Sequence, residues 1–588
     1  MKRLIEDTNP LLEALGNAKT VRNDNSSRFG KYLELQFNSE GSPVGGTTST
    51  FLLEKTRVAF QNRHERNFHI FYQFIYGADP ALKQELGCEC DPSYFNYLSQ
   101  SGCMHVSSVD DVADYRATRS AMGLIGINEG TQVDIFRLLA GILHVGNVQF
   151  QGNAPAQVVD PTPLQTAAYL FSVSPEQLAH ALVHRKIQSG SARSTQYAVQ
   201  QNSDQAYGIR DALAKTVYER LFNWVVEQIN QSMACTSAGL KCLGVLDIYG
   251  FEVFEKNGFE QLCINYVNEK LQQVYVKLKL KEEQAEYANE GLKWKPVDYH
   301  DNEVTCTLID GKQPPGLMRI LDDTCRSAHA VDSNKADYEF LNKMYQAMGE
   351  NKYLTYTQES FTIQHYAGPV EYNIDQFAFK NKDSLFLNLV ELIQMSQNPF
   401  IASLFPDDTS SKINKGPSTA GFKIRESAGY LMKRLSSCTP HFLRTIKSND
   451  KKESLGWNSR RVEHQVQYLG LLESVRVSKA GFSYRHMKDV FLRRFGELVS
   501  AQGCRSIDEF SHWLRSAHPE YNGEIVEGRT KVFVKSAELI YTLEEDLFKK
   551  NNPEEYKLQQ KEFNRAQKQT AGKMGKGSYG MQSKCSLM

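Results

Sequence analysis

Residues 242–252 read CLGVLDIYGFE, a short apolar run of strand length that ends in an acid, a glycine and a second acid. From Phe259 the apolar residues recur at helical spacing, which predicts a long helix reaching about residue 285. The segment therefore predicts a buried strand closed by Asp247, a sharp glycine turn that places Glu252, and then the helix. An acid at the end of a core strand is also an ordinary strand terminus, so this segment alone assigns no function.

A second polar segment, NDNSSRFGK at residues 23–31, lies between a predicted helix over 9–15 and a predicted half-buried strand over 33–37. It contains two adjacent hydroxyls, Ser26 and Ser27, together with amide side chains and an arginine. Hard cations such as Mg²⁺ take oxygen ligands, and phosphates take amide, hydroxyl and guanidinium donors. By itself the segment could be a plain polar connection. Two such loops, each at a strand end, are typical of the switches of a phosphate-sensing nucleotide machine.

Length and composition predict a globular chain of about three to five packed units. The 588 residues are 41% hydrophobic and 23% charged, and Lys plus Arg equal Asp plus Glu at 68 each. No global charge therefore favours nucleic acid as a partner, and any charged surface has to be local. The 11 cysteines are scattered, as expected of reduced thiols. The first residues lack the apolar run of a signal peptide, which predicts a cytoplasmic protein.

The two segments resemble parts of the myosin motor domain. NDNSSRFGK and DIYGFE look like its switch I and switch II, and FEQLCINYVNEKLQQ at residues 259–273 looks like its relay helix. Further agreement spans residues 9 to about 546 and comes from NPLLEALGNAKT, LLEKTRV, RNFHIFYQ, DALAKTVYERLF, TPHFLRTIK, QYLGLLESVRVSKAGFSYR and GRTKVFVK. A kinesin is a poorer match because that family lacks the FGK and GFE endings. TAGFKIRESA and AGFSYR look most like class I, the single-headed, membrane-associated myosins.

The resemblance implies an α/β fold, a myosin head with a mixed central sheet surrounded by helices and related to P-loop NTPases, plus a small converter. It also implies five consecutive regions. They are residues 1–250 with switch I, transducer strands and the switch II strand; 251–440 with the relay helix and the lower, actin-binding region; 441–486 as a connector; 487–546 as the converter; and 547–588 as a short basic tail with a C-terminal C-a-a-X pattern.

The resemblance further implies that this region binds ATP and Mg²⁺ through residues of both segments. Ser27 would ligate the Mg²⁺ ion, and Asp247 would hold the water molecules around that ion. Asn23 would contact the nucleotide. Such ligands fit the preference of Mg²⁺ for hydroxyl, carboxylate and water oxygens.

Catalytic roles are implied for four residues. Ser26 would position the attacking water or relay its proton, and the amide of Gly250 would bond the γ-phosphate. Arg28 and Glu252 would close over that phosphate as an ion pair. Release of phosphate would break the closure and move the relay helix, and that motion would reach the converter.

A nucleotide machine of this kind requires the phosphate-binding loop GxxxxGK[ST]. Four Gly-Lys pairs occur, none followed by Ser or Thr, and they are Gly30-Lys31, Gly311-Lys312, Gly572-Lys573 and Gly575-Lys576. In the family the loop lies upstream of NPLLEALGNAKT, so we expect the loop and the first sheet strands to be absent from this chain rather than mutated. Two explanations stay open, a truncated or mis-started chain of an ordinary motor, and an ATP-incompetent protein that keeps an actin-binding surface.

The function expected from the resemblance is an actin-based motor that couples ATP binding, hydrolysis and phosphate release to movement on actin filaments at a membrane. The family is an actin-activated Mg-ATPase, but without the loop we expect negligible hydrolysis from these residues alone. The alternative is a nucleotide-independent actin–membrane tether. A third hypothesis, another switch-containing NTPase, is disfavoured by the converter-like segments.

Actin is expected to contact a lysine-containing loop at residues 406–425, because actin is acidic and mobile lysines favour a fast encounter. The residues at the family's actin-contacting position are Lys412, Lys415, Lys423 and Arg425. The alternative is that this segment is an ordinary solvated surface loop that does not bind actin.

Motif positions predict a phosphorylation site and a lipidation site, and they disfavour a light-chain site. Amoeboid and fungal class I myosins carry a regulatory Ser or Thr sixteen residues before the Asp of DALAK, which here is Thr195. The C-terminal residues CSLM form a C-a-a-X pattern whose Met favours farnesyl on Cys585, so a prenylated basic tail would make this a membrane-bound lipoprotein. Light-chain binding is not expected, because Phe563 and Asn564 occupy the Arg-Gly places of an IQ-like segment.

Two residues depart from the usual family pattern. His64 stands directly before Glu65 where the family usually has glycine, and Ser448 stands where proline usually follows Lys447. Neither departure changes the resemblance.

Overall fold

The computed structural model describes residues 2–188, 196–235, 237, 239–278, 282–292, 302–327, 333–349, 351–382, 385–407, 419–449, 453–471, 482–558 and 561. The chain divides into two compact units. The larger unit comprises Met1–Gln272 and Asn302–His441, and the smaller comprises Gln273–Asp301 and Phe442–Met588. The fold is mixed α/β and mostly helical with several small sheets, which confirms the predicted fold class at this level.

The described helices, in chain order, are α1 (Lys2–Gly16), α2 (His69–Gly77), α3 (Pro80–Glu85), α4 (Asn96–Ser99), α5 (Asp111–Leu124), α6 (Glu129–Gly146), α7 (Pro161–Phe171), α8 (Pro175–Val183), α9 (Ser203–Met233), α10 (Phe259–Val276), α11 (Glu282–Asn289), α12 (Glu303–Asp310), α13 (Leu317–Ser327), α14 (Ser333–Met348), α15 (Phe377–Asn381), α16 (Leu387–Gln394), α17 (Pro399–Ser403), α18 (Ala420–Ser436), α19 (Ser459–Tyr468), α20 (Lys488–Phe495), α21 (Ile507–Ala517) and α22 (Ala537–Asn551). None of them is both long and apolar enough to cross a bilayer.

The described strands are β1 (Asn17–Ala18), β2 (Ser26–Ser27), β3 (Gly30–Phe37), β4 (Pro43–Phe51), β5 (Phe150–Gln151), β6 (Gln157–Val158), β7 (His184–Gln188), β8 (Gln196–Gln200), β9 (Lys241–Asp247), β10 (Leu354–Tyr356), β11 (Ser360–His365), β12 (Gly368–Asn373), β13 (Tyr484–Met487), β14 (Ile525–Glu527) and β15 (Lys531–Val534). Three sheets have three strands, in the orders β4-β3-β9, β10-β11-β12 and β13-β15-β14, and the pairs β1-β2, β5-β6 and β7-β8 form the other sheets.

The long helix α9 forms the centre of the larger unit's core. It begins with a capping box, in which the side chain of Asn202 accepts from the Gln205 amide and the Gln205 side chain bonds the Asn202 amide. Its apolar residues recur every four positions, and Leu213, Val217 and Leu221 are completely buried. The helix packs against α1, α6, α8 and β4, so it supports the sheet that carries the two polar segments.

The smaller unit has a core of its own around the sheet β13-β15-β14. Phe491 and Phe510 meet edge to face at 5.1 Å between ring centroids. Val532, Leu514 and Leu539 complete the buried centre of this unit. Residues 487–546, which we predicted to be the converter, belong to this unit.

Strand β9 was correctly predicted as a strand, but the prediction that it is buried was wrong. It lies at the edge of its sheet and pairs with β3 alone among the described strands. Leu243 and Val245, which share one face of the strand, are 55% and 50% exposed. An apolar run identifies a strand but does not show which elements cover its two faces.

The helix that follows CLGVLDIYGFE begins at Phe259 as predicted. Helix α10 extends to Val276, residues 277 and 278 continue in π-helical geometry, and residues 279–281 lie outside the described residues. Helix α11 begins at Glu282.

Candidate functional site

The sheet register brings the two polar segments to one end of the same sheet. Strands β3 and β9 run antiparallel, with Lys31 opposite Asp247. The residues before β3 and those after β9 therefore lie at the same sheet end. We call residues 23–29 the first switch loop and residues 248–252 the second switch loop.

An ion pair joins the two switch loops. Arg28 Nη1 lies 3.0 Å from Glu252 Oε1, and the arginine side chain is only 4% exposed. The same guanidinium donates through Nε to Glu54 Oε2 at 2.7 Å. Burial opposes the charged form of Arg28, but the two carboxylates outweigh it and raise its pKa. The structure thus brings together the two residues that the sequence predicted as a pair.

Sequence reasoning missed three of the five charges in this buried array. Arg57 donates through Nε to Glu54 Oε2 at 2.7 Å and through Nη1 to Glu65 Oε2 at 2.9 Å. Acids and arginines therefore alternate from Glu252 through Arg28, Glu54 and Arg57 to Glu65. Burial acts to raise the pKa of Glu54, but the charges of Arg28 and Arg57 lower it to about 2. The available signal was the Glu-x-x-Arg spacing within LLEKTRV.

The three other predicted residues of the first switch loop lie beside Arg28. Ser26 and Ser27 form β2, which pairs with β1. The Ser26 hydroxyl lies 2.9 Å from the Thr20 hydroxyl, and Ser27 is half-buried. The amide of Asn23 donates to the Asn25 carbonyl at 2.8 Å, which holds the loop in a closed turn.

The second switch loop leaves the backbone at Gly250 open. Tyr249 and Phe251 on either side are both 8% exposed and anchor the turn. A Cβ added at Gly250 would meet no atom within 4 Å. Asp247, three residues before Gly250, is exposed at the end of β9 opposite Lys31. Burial lowers the pKa of Lys31, and the charge of Asp247 acts in the opposite direction.

The donor set fits a phosphate–magnesium group in part. Hydroxyls at Ser26 and Ser27, a carboxylate at Asp247 and the backbone amide of exposed Gly250 are the kinds of group that Mg²⁺ and a terminal phosphate take. The lysine and amides of a GxxxxGK[ST] loop have no counterpart in the sequence. The residues present therefore suit the γ-phosphate end of a nucleotide.

The predicted actin-contacting residues divide into two groups. Lys412 and Lys415 lie outside the described residues. Lys423 is exposed in the first turn of α18. Arg425 is paired with Asp322 and its side chain is 8% exposed, so a contact with actin would compete with that pair. Thr195, Cys585 and the residues of the predicted IQ-like segment from 562 onward also lie outside the described residues.

A cavity of about 450 Å³ connects the switch loops to α18. Its lining includes Arg28 and Glu54 from the charge array, Cys263 on α10, and Phe422 and Lys423 on α18. The first switch loop and α18 therefore line one cavity. Because α18 begins at Ala420, the prediction of a loop over residues 406–425 was wrong from Ala420 onward.

Comparisons with known proteins agree over nearly the whole chain. Residues 1–535 match the myosin head (motor domain) family. The chain is 51% identical to the Myosin-K heavy chain of Dictyostelium discoideum, an alignment that covers all of this chain and 68% of that protein. It is 47% identical to the Myosin IB heavy chain of Dictyostelium discoideum, in an alignment that covers 94% of this chain and 51% of that protein. It is 44% identical to the Myosin heavy chain IB of Acanthamoeba castellanii, in an alignment that covers 93% of this chain and 48% of that protein.

Proposed function

The chain belongs to the myosin head (motor domain) family, and we propose that it works in an actin-based, ATP-driven motor of the class I type. The observation that carries the proposal is the buried Arg28–Glu252 ion pair, which joins loops 224 residues apart in the sequence. A pair that closes two loops across the end of a sheet is a device that can report whether a phosphate is present. The chain spans about half to two thirds of the relatives it matches, so the activity is proposed for the protein of which it forms part.

In this function Mg-ATP is the substrate, and residues of both switch loops bind it. Ser27 and Asp247 hold the Mg²⁺ ion and its water shell, and Asn23 contacts the nucleotide. The amide of Gly250 donates to the γ-phosphate, on the open side of its turn. Electrostatic stabilisation of phosphoryl oxygens by prearranged donors is the main catalytic term for this reaction class.

The remaining catalytic roles fall to the first switch loop and the ion pair. Ser26 orients the attacking water or relays its proton. Arg28 and Glu252 close the site and exclude bulk water, which strengthens every charge interaction inside it. Helix α10 begins seven residues after Glu252, so opening of the Arg28–Glu252 pair would move the start of that helix.

We also propose a cytoskeletal location at the cytoplasmic face of membranes, with filamentous actin as the partner. Lys412, Lys415 and Lys423 supply positive charge to the actin-facing loop. Farnesylation of Cys585 within the basic tail supplies the membrane anchor, and one lipid chain needs such a second signal for stable binding. Phosphorylation of Thr195 regulates actin-activated turnover by adding about two negative charges to the segment that carries it.

The second candidate is a nucleotide-independent actin–membrane tether. The observation in its favour is the absence of GxxxxGK[ST] from the 588 residues. A protein without that loop would lack most of the prearranged stabilisation of the phosphates.

One experiment separates the two candidates. The transcript upstream of the Met1 codon is sequenced, and the polypeptide that includes any in-frame upstream segment, here called the extended form, is sedimented with actin filaments. A motor requires an upstream GxxxxGK[ST] segment and actin binding that Mg-ATP weakens at least about tenfold, or about 1.4 kcal/mol. The 588-residue chain, as the matched control, should bind actin equally with and without Mg-ATP. A transcript without such a segment, or ATP-insensitive binding of the extended form, would favour the tether.

A further inference from the structure

A buried series of side-chain hydrogen bonds begins at the backbone of Glu252. The amide of Glu252 donates to Asn265 Oδ1 at 2.8 Å, and Asn265 Nδ2 donates to the Glu252 carbonyl at 2.8 Å. The same Nδ2 donates to the Tyr372 hydroxyl at 2.9 Å. Asn265 lies on α10 and is completely buried. Both N–H groups and the oxygen of its amide thus have partners, which determines the orientation of the amide group.

The series continues from the hairpin β11–β12 back to α10. The Tyr372 hydroxyl lies 2.9 Å from His365 Nε2. His365 Nδ1 lies 2.7 Å from Glu269 Oε2, and both of these side chains are 0% exposed. Asn302 Nδ2 donates to Glu269 Oε1 at 2.8 Å, which completes the series. No solvent molecule is needed to satisfy any of these linking atoms.

From Asn265 through Tyr372 and His365 to Glu269, the hydrogen bonds all point in one direction. Because the Tyr372 oxygen accepts from Asn265, its own proton is available to His365 Nε2. His365 then donates from Nδ1 to the Glu269 carboxylate, which assigns its tautomer. Burial raises the pKa of Tyr372, against the opposing effect of the Asn265 bond, so the phenol remains protonated. Loss of one member would leave buried groups on both sides without partners.

Few contacts hold the Glu252 carboxylate itself. Oε1 accepts from Arg28 at 3.0 Å, and Gln261 Nε2 lies 3.5 Å from Oε2. The position of its backbone therefore determines whether the carboxylate faces Arg28. Asn265 is the side chain that holds both the N–H and the C=O of Glu252.

We propose that Tyr372 is a positioning residue for the switch ion pair, which acts by orienting Asn265 so that Asn265 clamps the backbone of Glu252 toward Arg28. The proposal rests on the proposed function in that Glu252 is taken as the closing acid. It adds that the hairpin β11–β12 sets the geometry of the second switch loop through one hydroxyl.

Hydrogen exchange of the Glu252 amide tests this in the nucleotide-free 588-residue chain. Tyr372→Phe removes the hydroxyl and keeps the ring, so the freed Asn265 amide should release the Glu252 N–H. We expect the Glu252 amide, followed by mass spectrometry in fragments spanning residues 249–254, to exchange at least about tenfold faster.

Tyr266→Phe is the matched control. Tyr266 follows Asn265 on α10, and its buried hydroxyl donates to Asp310 Oδ2 at 2.7 Å, away from Glu252. This variant should change exchange near Asp310 and leave that of Glu252 within about twofold. If both variants accelerated Glu252 equally, the effect would be general loosening of α10, and the proposal would be wrong.

A purely structural role for Tyr372 gives a different pattern. Amides of β11 and β12 would then exchange faster in Tyr372→Phe while the Glu252 amide kept its rate, and that result would overturn the proposal. If Tyr372→Phe lost cooperative thermal unfolding, His365→Gln would replace it. The oxygen and nitrogen of a glutamine amide lie together at the end of the side chain and cannot bridge Tyr372 and Glu269 as the imidazole does. The same two outcomes then decide. No nucleotide or actin is present, so failure of the motor proposal leaves this result interpretable.

Discussion

His64 has a left-handed backbone, with φ of 66°, at the position where the family usually has glycine. Its side chain is exposed, while its backbone is held at both ends. The His64 amide donates to the Ser101 carbonyl at 3.0 Å, and Lys19 donates to the His64 carbonyl at 2.7 Å. The conformation is therefore imposed by its neighbours, and the histidine carries the steric cost of its Cβ.

Replacement of His64 by glycine should stabilise the larger unit. A left-handed backbone costs an L-residue about 1–2 kcal/mol, and part of that gain is lost to the greater freedom of glycine in the unfolded chain. We expect a net gain of about 0.5–1 kcal/mol, seen as a higher midpoint of thermal unfolding. His64→Val is the control and should lower the midpoint, because a β-branched residue tolerates positive φ least. A lower midpoint for the glycine variant would contradict the argument.

Single residues were predictable where two motifs carried opposite charges. Arg28 and Glu252 lie in two segments that each resemble a switch of the family, so the ion pair between them could be expected from the sequence. Glu54 and Arg57 could not, because an acid and an arginine three residues apart usually lie on a solvated surface. His64 was visible only as a departure from a pattern, and its backbone angle depends on contacts with distant residues.

At the scale of elements, the exposed edge of β9 is the feature with the clearest consequence. An uncovered apolar strand presents unpaired backbone groups and promotes association between chains. The side chain of Val245 is half exposed, whereas Leu246 on the opposite face packs against the cluster of Tyr32, Phe51 and Leu431. Val245 and Leu246 are both aliphatic, but they differ in burial.

Val245→Lys should reduce aggregation of the 588-residue chain without lowering its stability. A lysine on an edge strand discourages edge-to-edge pairing, and an exposed substitution usually changes stability by no more than about 0.5 kcal/mol. Static light scattering at rising concentration measures the first effect and thermal unfolding the second. The adjacent control Leu246→Lys should lower stability by about 1 kcal/mol or more, because it replaces a partly buried apolar contact by a charge. Unchanged scattering in Val245→Lys would show that association does not use this edge.

Elements were predicted well where their own periodicity decides them. The helical spacing after Phe259 and the alternation in residues 33–37 were both confirmed as α10 and β3. The burial of β9 was mispredicted because an apolar run describes the strand and not its neighbours.

At the scale of the whole molecule, family membership rests on segments spread over most of the chain, matched from residue 1 to 535. The division into two compact units was not readable from composition, because no Pro/Gly-rich linker marks it. The roles of Ser26, Ser27 and Gly250 stay predictions, since chemistry at a γ-phosphate depends on groups beyond these residues. The central claim is that the Arg28–Glu252 pair couples ATP to actin affinity.

The most direct test is a charge swap in the extended form, measured as the ratio of actin Kd with and without Mg-ATP. Arg28→Glu or Glu252→Arg alone should abolish the ATP-induced weakening, because each places like charges together. The double variant should recover part of it, and only part, since a glutamate at position 28 also faces Glu54, which now lies 2.7 Å from Arg28. A double variant no better than either single variant, or single variants that keep the full ATP response, would contradict the account.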